Sequence, residues 1–114
     1  MPYSGTKVNV PLNQQRERSI QAKLDEAIAL LPGKSARWLM TSFEDGVRLH
    51  FQGDSVSPAA FVEVKVFGSS DRASYEKLTA TVTTILGEEL GIAPERVYVA
   101  YGETDNWGWN GGNF

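Results

Sequence analysis

The chain has 114 residues, which allows one domain over residues 1–114 and leaves no room for a second. Its 11 Lys and Arg against 14 Asp and Glu give a net charge of −3, which argues against a general binder of nucleic acid or anionic membranes. Cysteine is absent and histidine occurs once, so disulfides, cysteine-ligated zinc and a cysteine nucleophile are excluded, and multi-histidine metal sites or Ser-His-Asp triads are disfavoured.

The N-terminal segment gives little information on targeting. It lacks a basic region followed by an apolar stretch, which is the pattern of a secretory signal. The whole chain contains no apolar run of about 18 residues, so no membrane-spanning helix is predicted. The expected location is the cytoplasm, with export by a non-classical route left open.

Pro2 would carry a basic secondary amine once Met1 is removed, but a Met-Pro start taken alone favours no function.

Two segments show the apolar spacing of a helix and end at glycine. The first runs from Asn13 to Leu31 and is closed by Pro32-Gly33; the second runs from Asp71 to Leu90 and is closed by Gly91. Asn13 and Asp71 are candidate N-caps, because their side chains can accept hydrogen bonds from the first free amides of a helix. The sequence therefore predicts two helices with defined starts.

Landmarks around these helices repeat with one offset. The N-caps, the closing glycines and the Lys-Val pairs before each helix, Lys7-Val8 and Lys65-Val66, all lie 58 residues apart. A β-rich run follows each helix, at residues 38–43 and 97–101. The pattern predicts two tandem β-α-β units, each joining two parallel strands, with chance coincidence of three landmarks as the alternative.

The predicted strands have two different faces. Val62, Val64 and Val66 point to one side, which suits packing under the helices, while charged and aromatic residues point to the other. Residues 47–51 also alternate and predict a short strand, with His50 on its polar side as an exposed residue. Two such units leave one sheet face and the edges uncovered, which favours oligomerisation.

The C-terminal segment is rich in turn residues and yet carries large aromatic side chains. We expect these side chains to be buried, either in the core of the domain or against a neighbouring chain. Stacking on nucleic-acid bases is disfavoured because the segment lacks interleaved Lys and Arg. The aromatic residues are Trp107, Trp109 and Phe114.

Motifs spread over essentially the whole chain carry a resemblance to a known family. They are Met1-Pro2 before a strand, Asn9-Val10-Pro11, Gly33-Lys34, residues 61–65, residues 75–78, residues 90–99 and residues 108–111. This ordered set resembles the macrophage migration inhibitory factor (MIF) branch of the tautomerase superfamily. The resemblance implies an α/β fold of two tandem β-α-β units, with a four-stranded mixed sheet, two helices on one face, and a homotrimer with active sites at subunit interfaces.

The resemblance also implies an activity, keto–enol tautomerisation of phenylpyruvate-type aromatic 2-oxo acids and possible action on dopachrome, without cofactor or metal. Pro2, freed by removal of Met1, matches the catalytic base. Lys34 matches the lysine that binds the substrate carboxylate and offsets negative charge on the enolate oxygen. Without the resemblance, the favoured interpretation of Lys34 is a solvated lysine just past a helix C-terminus. Phe67 lies where the family usually has an isoleucine whose backbone amide contacts the carboxylate.

The remaining pocket residues are also assigned by resemblance. Tyr98 matches a tyrosine supplied by the neighbouring subunit, with a plain strand aromatic as the alternative. Ala100 stands where the animal proteins have an asparagine that binds a phenolic hydroxyl, which weakens any preference for hydroxyphenylpyruvate. The expected aromatic wall comprises Tyr3, Trp38, Trp107, Trp109 and Phe114.

A second function from a different class stays open at this point. A cytokine-like or host-directed signalling protein could keep the fold and the pocket and bind a receptor partner, with vestigial or no tautomerase activity. A complete set of Pro2, Lys34 and Tyr98 favours the enzyme, whereas a Met1 that is always retained favours the binding protein.

Overall fold

The computed structural model describes residues 1–114, and it contains one four-stranded sheet with two helices. The order across the sheet is β2-β1-β3-β4, and a separate two-stranded hairpin, β5-β6, follows at the C-terminus. Short 3₁₀ turns occur at residues 28–30, 36–38 and 94–96. The elements are β1 (Pro2–Val8), α1 (Gln14–Ala27), β2 (Met40–Glu44), β3 (Ala60–Phe67), α2 (Arg72–Leu90), β4 (Val97–Thr104), β5 (Gly108–Trp109) and β6 (Gly112–Asn113).

The tandem β-α-β prediction is confirmed by the strand pairing. β1 pairs in parallel with β2, β3 pairs in parallel with β4, and the two units join through antiparallel pairing of β1 with β3. The first strands of the two units begin 58 residues apart, and so do the two helices. The sheet is therefore mixed, and β2 and β4 form its two open edges.

Both helices start at the predicted caps. The Asn13 side chain accepts a hydrogen bond from the amide of Arg16 at 2.7 Å, and the Asp71 side chain accepts one from the amide of Ser74 at 2.8 Å. Gly91 ends α2 in the left-handed region, with φ of 67°. No helix in the structure is both long enough and apolar enough to cross a membrane.

The end of the first helix differs from the prediction. The α-helix stops at Ala27, and the chain tightens into a 3₁₀ turn over residues 28–30 instead of continuing to Leu31. Leu31 itself is extended, with φ of −87° and ψ of 117°. It precedes Pro32, whose ring disfavours helical backbone in the residue before it.

The core lies on one side of the sheet, as the strand pattern predicts. Val62, Val64 and Val66 are buried in a cluster with apolar side chains of both helices, including Ile20 and Leu78. The apolar surface that this cluster removes from water contributes about 25 cal/mol per Å². The side chains of β1 and β3 that point to the opposite face are half-buried or exposed.

The strand predicted at residues 47–51 is wrong. These residues form no strand, and only an isolated bridge joins Phe51 to Asp54. The loop that contains this segment is held by a side chain instead of by a neighbouring strand. Arg96 donates hydrogen bonds to the backbone oxygens of Phe51, Asp54, Ser57 and Pro58 at 3.0–3.2 Å. His50 is exposed, as expected.

Candidate active site

The first residues of the chain meet Lys34 and Phe67 at one end of the sheet. Pro2 pairs with Val66 on β3, and its side chain is buried. The amide of Phe67 donates a hydrogen bond to the Met1 carbonyl oxygen at 3.0 Å. The Lys34 ammonium donates to the carbonyl oxygen of the same Phe67 at 3.1 Å. Lys34 and Phe67, which are distant from each other and from the N-terminus in sequence, thus meet at the first two residues of the chain.

The electrostatics of this point favour a neutral amine. Partial burial, and secondly the positive charge of Lys34, lower the pKa of the Met1 amine from its ordinary value. Burial disfavours the charged form of an amine, and a nearby cation acts in the same direction. With Met1 attached, the Pro2 nitrogen is an amide and has no basic lone pair.

An open cleft of about 720 Å³ lies beside the N-terminus. It is formed by the start of β1, the turn at residues 36–38, β2 and the C-terminal hairpin. No carboxylate lines it. The lining residues are Met1, Pro2, Tyr3, Arg37, Trp38, Leu39, Met40, Lys65, Asn106, Trp107, Gly108 and Trp109.

Four aromatic side chains form a continuous row from Phe67 to the turn at residues 36–38. Phe67 lies 5.4 Å from Phe114, Phe114 stacks on Trp109 at 6.4 Å, and Trp109 meets Trp38 edge-on at 5.2 Å, all between ring centroids. We call this set the aromatic row. Such contacts favour offset and edge-to-face arrangements of the rings, and both occur here.

The C-terminal aromatics are not buried in the core of the domain. Trp109 is 51% exposed and Phe114 is 55% exposed, so the first of the two expected burial places is wrong. The residues sit on a hairpin, which an Asn110-Gly111 turn makes possible because both residues adopt positive φ, 53° and 81°. Asn-Gly between two short strands is a hairpin signal in the sequence, and it could have placed these aromatics on a projecting element.

Tyr3 and Tyr98 occupy different ends of the sheet. The Tyr3 hydroxyl lies 2.6 Å from the Ser42 hydroxyl, which holds the ring over Gly5 beside the cleft. Tyr98 pairs with Phe61 on β3, five residues from Val66, the partner of Pro2, which is roughly 17 Å along the strand. Tyr98 therefore does not reach Pro2 within one chain. Its supply by a neighbouring subunit stays a prediction.

Two cations of the cleft were not singled out from the sequence. Arg37 lies in the turn before β2, and Lys65 lies on the uncovered face of β3. The sequence marks Lys65 only as part of a repeated Lys-Val pair and of a family-like motif, and it does not mark Arg37. Neither is predicted as a cleft residue, because the cleft forms only when the hairpin folds beside the turn. The structure contains no cluster of three His, Asp or Glu side chains that could hold a metal ion.

Comparison with known proteins gives matches over the whole chain. The sequence model of the family described as "Macrophage migration inhibitory factor (MIF)" matches residues 1–114. The macrophage migration inhibitory factor of Rattus norvegicus is 28% identical, with 100% of this chain and 99% of that protein covered. Leishmania major MIF2, whose crystal structure is known, is 34% identical in sequence. The match covers 100% of this chain and 97% of that chain, with a TM-score of 0.93. The MIF of Toxoplasma gondii, 19% identical over 98% of this chain and 99% of its own, shares the fold with a TM-score of 0.90.

Proposed function

This chain belongs to the macrophage migration inhibitory factor family, and on that premise we propose that it is a cofactor-independent keto–enol tautomerase of aromatic 2-oxo acids, with Pro2 as general base after removal of Met1. The observation that supports this most is the position of Met1 between Phe67 and Lys34.

Met1 occupies a place suited to a carboxylate. Its carbonyl oxygen accepts the hydrogen bond of the Phe67 amide, and its amine lies within the field of the Lys34 ammonium. Loss of Met1 leaves that amide without an acceptor beside a cation. A substrate carboxylate would accept the amide hydrogen bond and lie next to Lys34, and such charge-assisted hydrogen bonds are about twice as strong as neutral ones.

Loss of Met1 also creates the base. The Pro2 nitrogen becomes a secondary amine at the buried start of β1. An ordinary α-amino group titrates at about 7.7–8.0. We expect burial and the charge of Lys34, which already lower the pKa of the Met1 amine, to act likewise on Pro2. A lowered pKa keeps this nitrogen unprotonated at neutral pH, which a general base requires.

The proton balance of the reaction needs only these groups. Pro2 accepts a proton from C3 of the keto form, and the electron pair of the C3–H bond forms the C2–C3 double bond. The C2 carbonyl π pair moves to its oxygen, where the Lys34 ammonium offsets the developing negative charge. The proton then returns to that oxygen, which gives the enol and regenerates neutral Pro2.

The aromatic row supports an aryl group on the substrate. It starts at Phe67, the residue whose amide would bind the carboxylate, and continues through exposed ring faces. An aryl group attached two carbons from the carboxylate would lie against these rings and remove them from water. Burial of apolar side chains in this way supplies binding free energy at an otherwise open cleft.

The test is turnover of phenylpyruvate by chain shown by intact mass to lack Met1. Pro2→Gly is expected to lower kcat about 10²- to 10⁴-fold, the usual contribution of a general base. Lys34→Ala is expected to raise KM and lower kcat, while the matched control Lys77→Ala, an exposed residue of α2, changes neither. Equal activity of Met1-free wild type and Pro2→Gly would refute the proposal and leave a binding protein as the alternative.

A further inference from the structure

Arg37 is the cation of the cleft whose charge has no partner. Its guanidinium lies over the ring of Trp38, 5.2 Å from the centroid, and lines the cleft. It forms no ion pair in this chain. The ion pairs of the structure are formed by Arg16, Lys23, Lys65, Arg72 and Arg96.

The other two cations near the cleft, Lys34 and Lys65, each have a polar partner in this chain. Lys65 pairs with Glu63 at 3.0 Å, so its charge is balanced on the sheet face. Lys34 contacts the Phe67 carbonyl oxygen at the position where we place the 2-oxo acid group. Arg37 thus presents an unbalanced positive charge to a cleft that no carboxylate lines, in a protein with a net charge of −3. A local field of this sign attracts anions.

The aromatic row connects the two charges. It runs from Phe67, beside Lys34, through Phe114 and Trp109 to Trp38, on which Arg37 stacks. Lys34 and Arg37 are also only three residues apart in the chain. We therefore expect a ring on this row, with its 2-oxo acid group at Lys34, to direct a substituent of its far edge toward Arg37. Stacking on Trp38 orders the guanidinium, and a guanidinium binds a carboxylate through two parallel hydrogen bonds.

We propose that Arg37 forms a second anion subsite of the cleft, and that the preferred substrates are aromatic 2-oxo acids with an additional acidic group on the ring. This inference rests on the proposed tautomerase function, since it places the first carboxylate at Lys34. It assigns Arg37 to substrate specificity and not to the proton transfer.

The test compares 4-carboxyphenylpyruvate with phenylpyruvate on Met1-free chain. Wild type is expected to show a lower KM for the carboxylated substrate by about fivefold, the effect of about 1 kcal/mol from one exposed charge pair. Arg37→Gln should abolish this preference, measured as the ratio of the two KM values within the same variant, and Arg37→Lys should retain part of it. Arg18→Gln, an exposed arginine of α1, is the matched control and should retain the preference in full.

Ionic strength separates a charge effect from a packing effect. The preference should shrink as salt rises from low to physiological concentration, because exposed charge pairs are screened. If phenylpyruvate is turned over but Arg37→Gln keeps the full preference, or wild type shows none, the subsite is refuted and the tautomerase proposal stands.

A binding measurement tests the subsite even without turnover. Cinnamate and 4-carboxycinnamate carry the same ring and carboxylate but no keto group, and their Kd values follow from tryptophan fluorescence of the cleft. Tighter binding of 4-carboxycinnamate to wild type but not to Arg37→Gln supports the subsite, whatever the outcome of the activity assay. Equal Kd ratios in the two proteins overturn it.

Discussion

The Met1 carbonyl oxygen lies 3.0 Å from the amide nitrogen of Phe67, and this one contact links removal of Met1 to the proposed chemistry. While Met1 is attached, the amide is occupied and the Pro2 nitrogen is not basic. Removal of one residue frees a hydrogen-bond donor and creates a buried secondary amine at the same point. At the scale of single residues, we therefore propose that Met1 blocks the site until it is removed.

The amine of the Met1-bearing chain gives a prediction at this scale. Lys34→Met is expected to raise the pKa of the Met1 amine, because a positive neighbour that disfavours protonation is lost. The pKa should stay below the ordinary value, since burial is the larger cause and persists. NMR titration of the Met1 amine measures this, with Lys77→Met as a control that leaves the pKa unchanged. A pKa that is unaffected by Lys34→Met contradicts the proposed electrostatics.

The residues of the site differ in how well the sequence predicts them. Pro2, Lys34 and Phe67 were placed by their resemblance to family motifs, and the structure brings all three together. Arg37 and Lys65 were missed, because a surface cation acquires a role only from what folds beside it. A residue in a family motif can be recognised from the sequence, whereas a residue that lines the cleft can be recognised only from the tertiary structure.

At the scale of elements, the C-terminal hairpin carries half of the aromatic row. It holds Trp109 and Phe114 next to Trp38 and Phe67 although only two residue pairs join β5 to β6. A ribbon this short has little stability of its own, so its turn decides whether the rings stay in place.

The turn yields a prediction for function. Gly111→Ala is expected to destabilise the hairpin by about 1 kcal/mol, because Gly111 has φ of 81° and a side chain disfavours that backbone. The KM for phenylpyruvate should rise severalfold as the rings lose their position, with a shift in tryptophan fluorescence. Gly112→Ala is the matched control, since its added Cβ meets nothing within 4 Å and its φ is ordinary. Equal effects of the two substitutions would argue against the role of the turn.

Elements whose hydrogen bonds are local were predicted well, and those held by distant side chains were not. The helix starts follow from caps three residues away, and β3 from its own alternation. Residues 47–51 have the alternation of a strand, but they form only an isolated bridge, and Arg96, 45 residues beyond Phe51, donates a hydrogen bond to the Phe51 carbonyl oxygen. A pattern in the segment cannot reveal a donor from another part of the chain.

At the scale of the whole molecule, the chain resembles one part of a larger assembly. Only 19 of 114 residues are buried, one face of the sheet is half-buried or exposed, and β2 and β4 each lack a partner strand on their outer side. Tyr98 is 56% exposed, and its ring lies next to Phe51 and Phe61, far along β3 from the strand position that pairs with Pro2. The predicted homotrimer would cover these surfaces and bring Tyr98 of one subunit to Pro2 of the next.

Mixed assemblies give the prediction at this scale. Pro2→Gly and Tyr98→Ala chains should each form trimers with low activity, because every site carries one defect. When the two chains are co-expressed in equal amounts, about a quarter of the sites should be intact. These are the sites in which a Tyr98→Ala chain supplies Pro2 and a neighbouring Pro2→Gly chain supplies Tyr98. Light scattering reports the trimer, and phenylpyruvate turnover reports the recovery. Activity no higher than the mean of the two variants would place both residues in the same subunit's site or remove Tyr98 from it.

The most direct measurement of the central claim relates activity to the state of residue 1. A preparation that retains Met1 is treated with methionine aminopeptidase for increasing times, and each sample is analysed by intact mass and by phenylpyruvate turnover. The proposal predicts a rate proportional to the Met1-free fraction, with no activity when every chain retains Met1. A rate that is independent of this fraction would contradict Pro2 as the base.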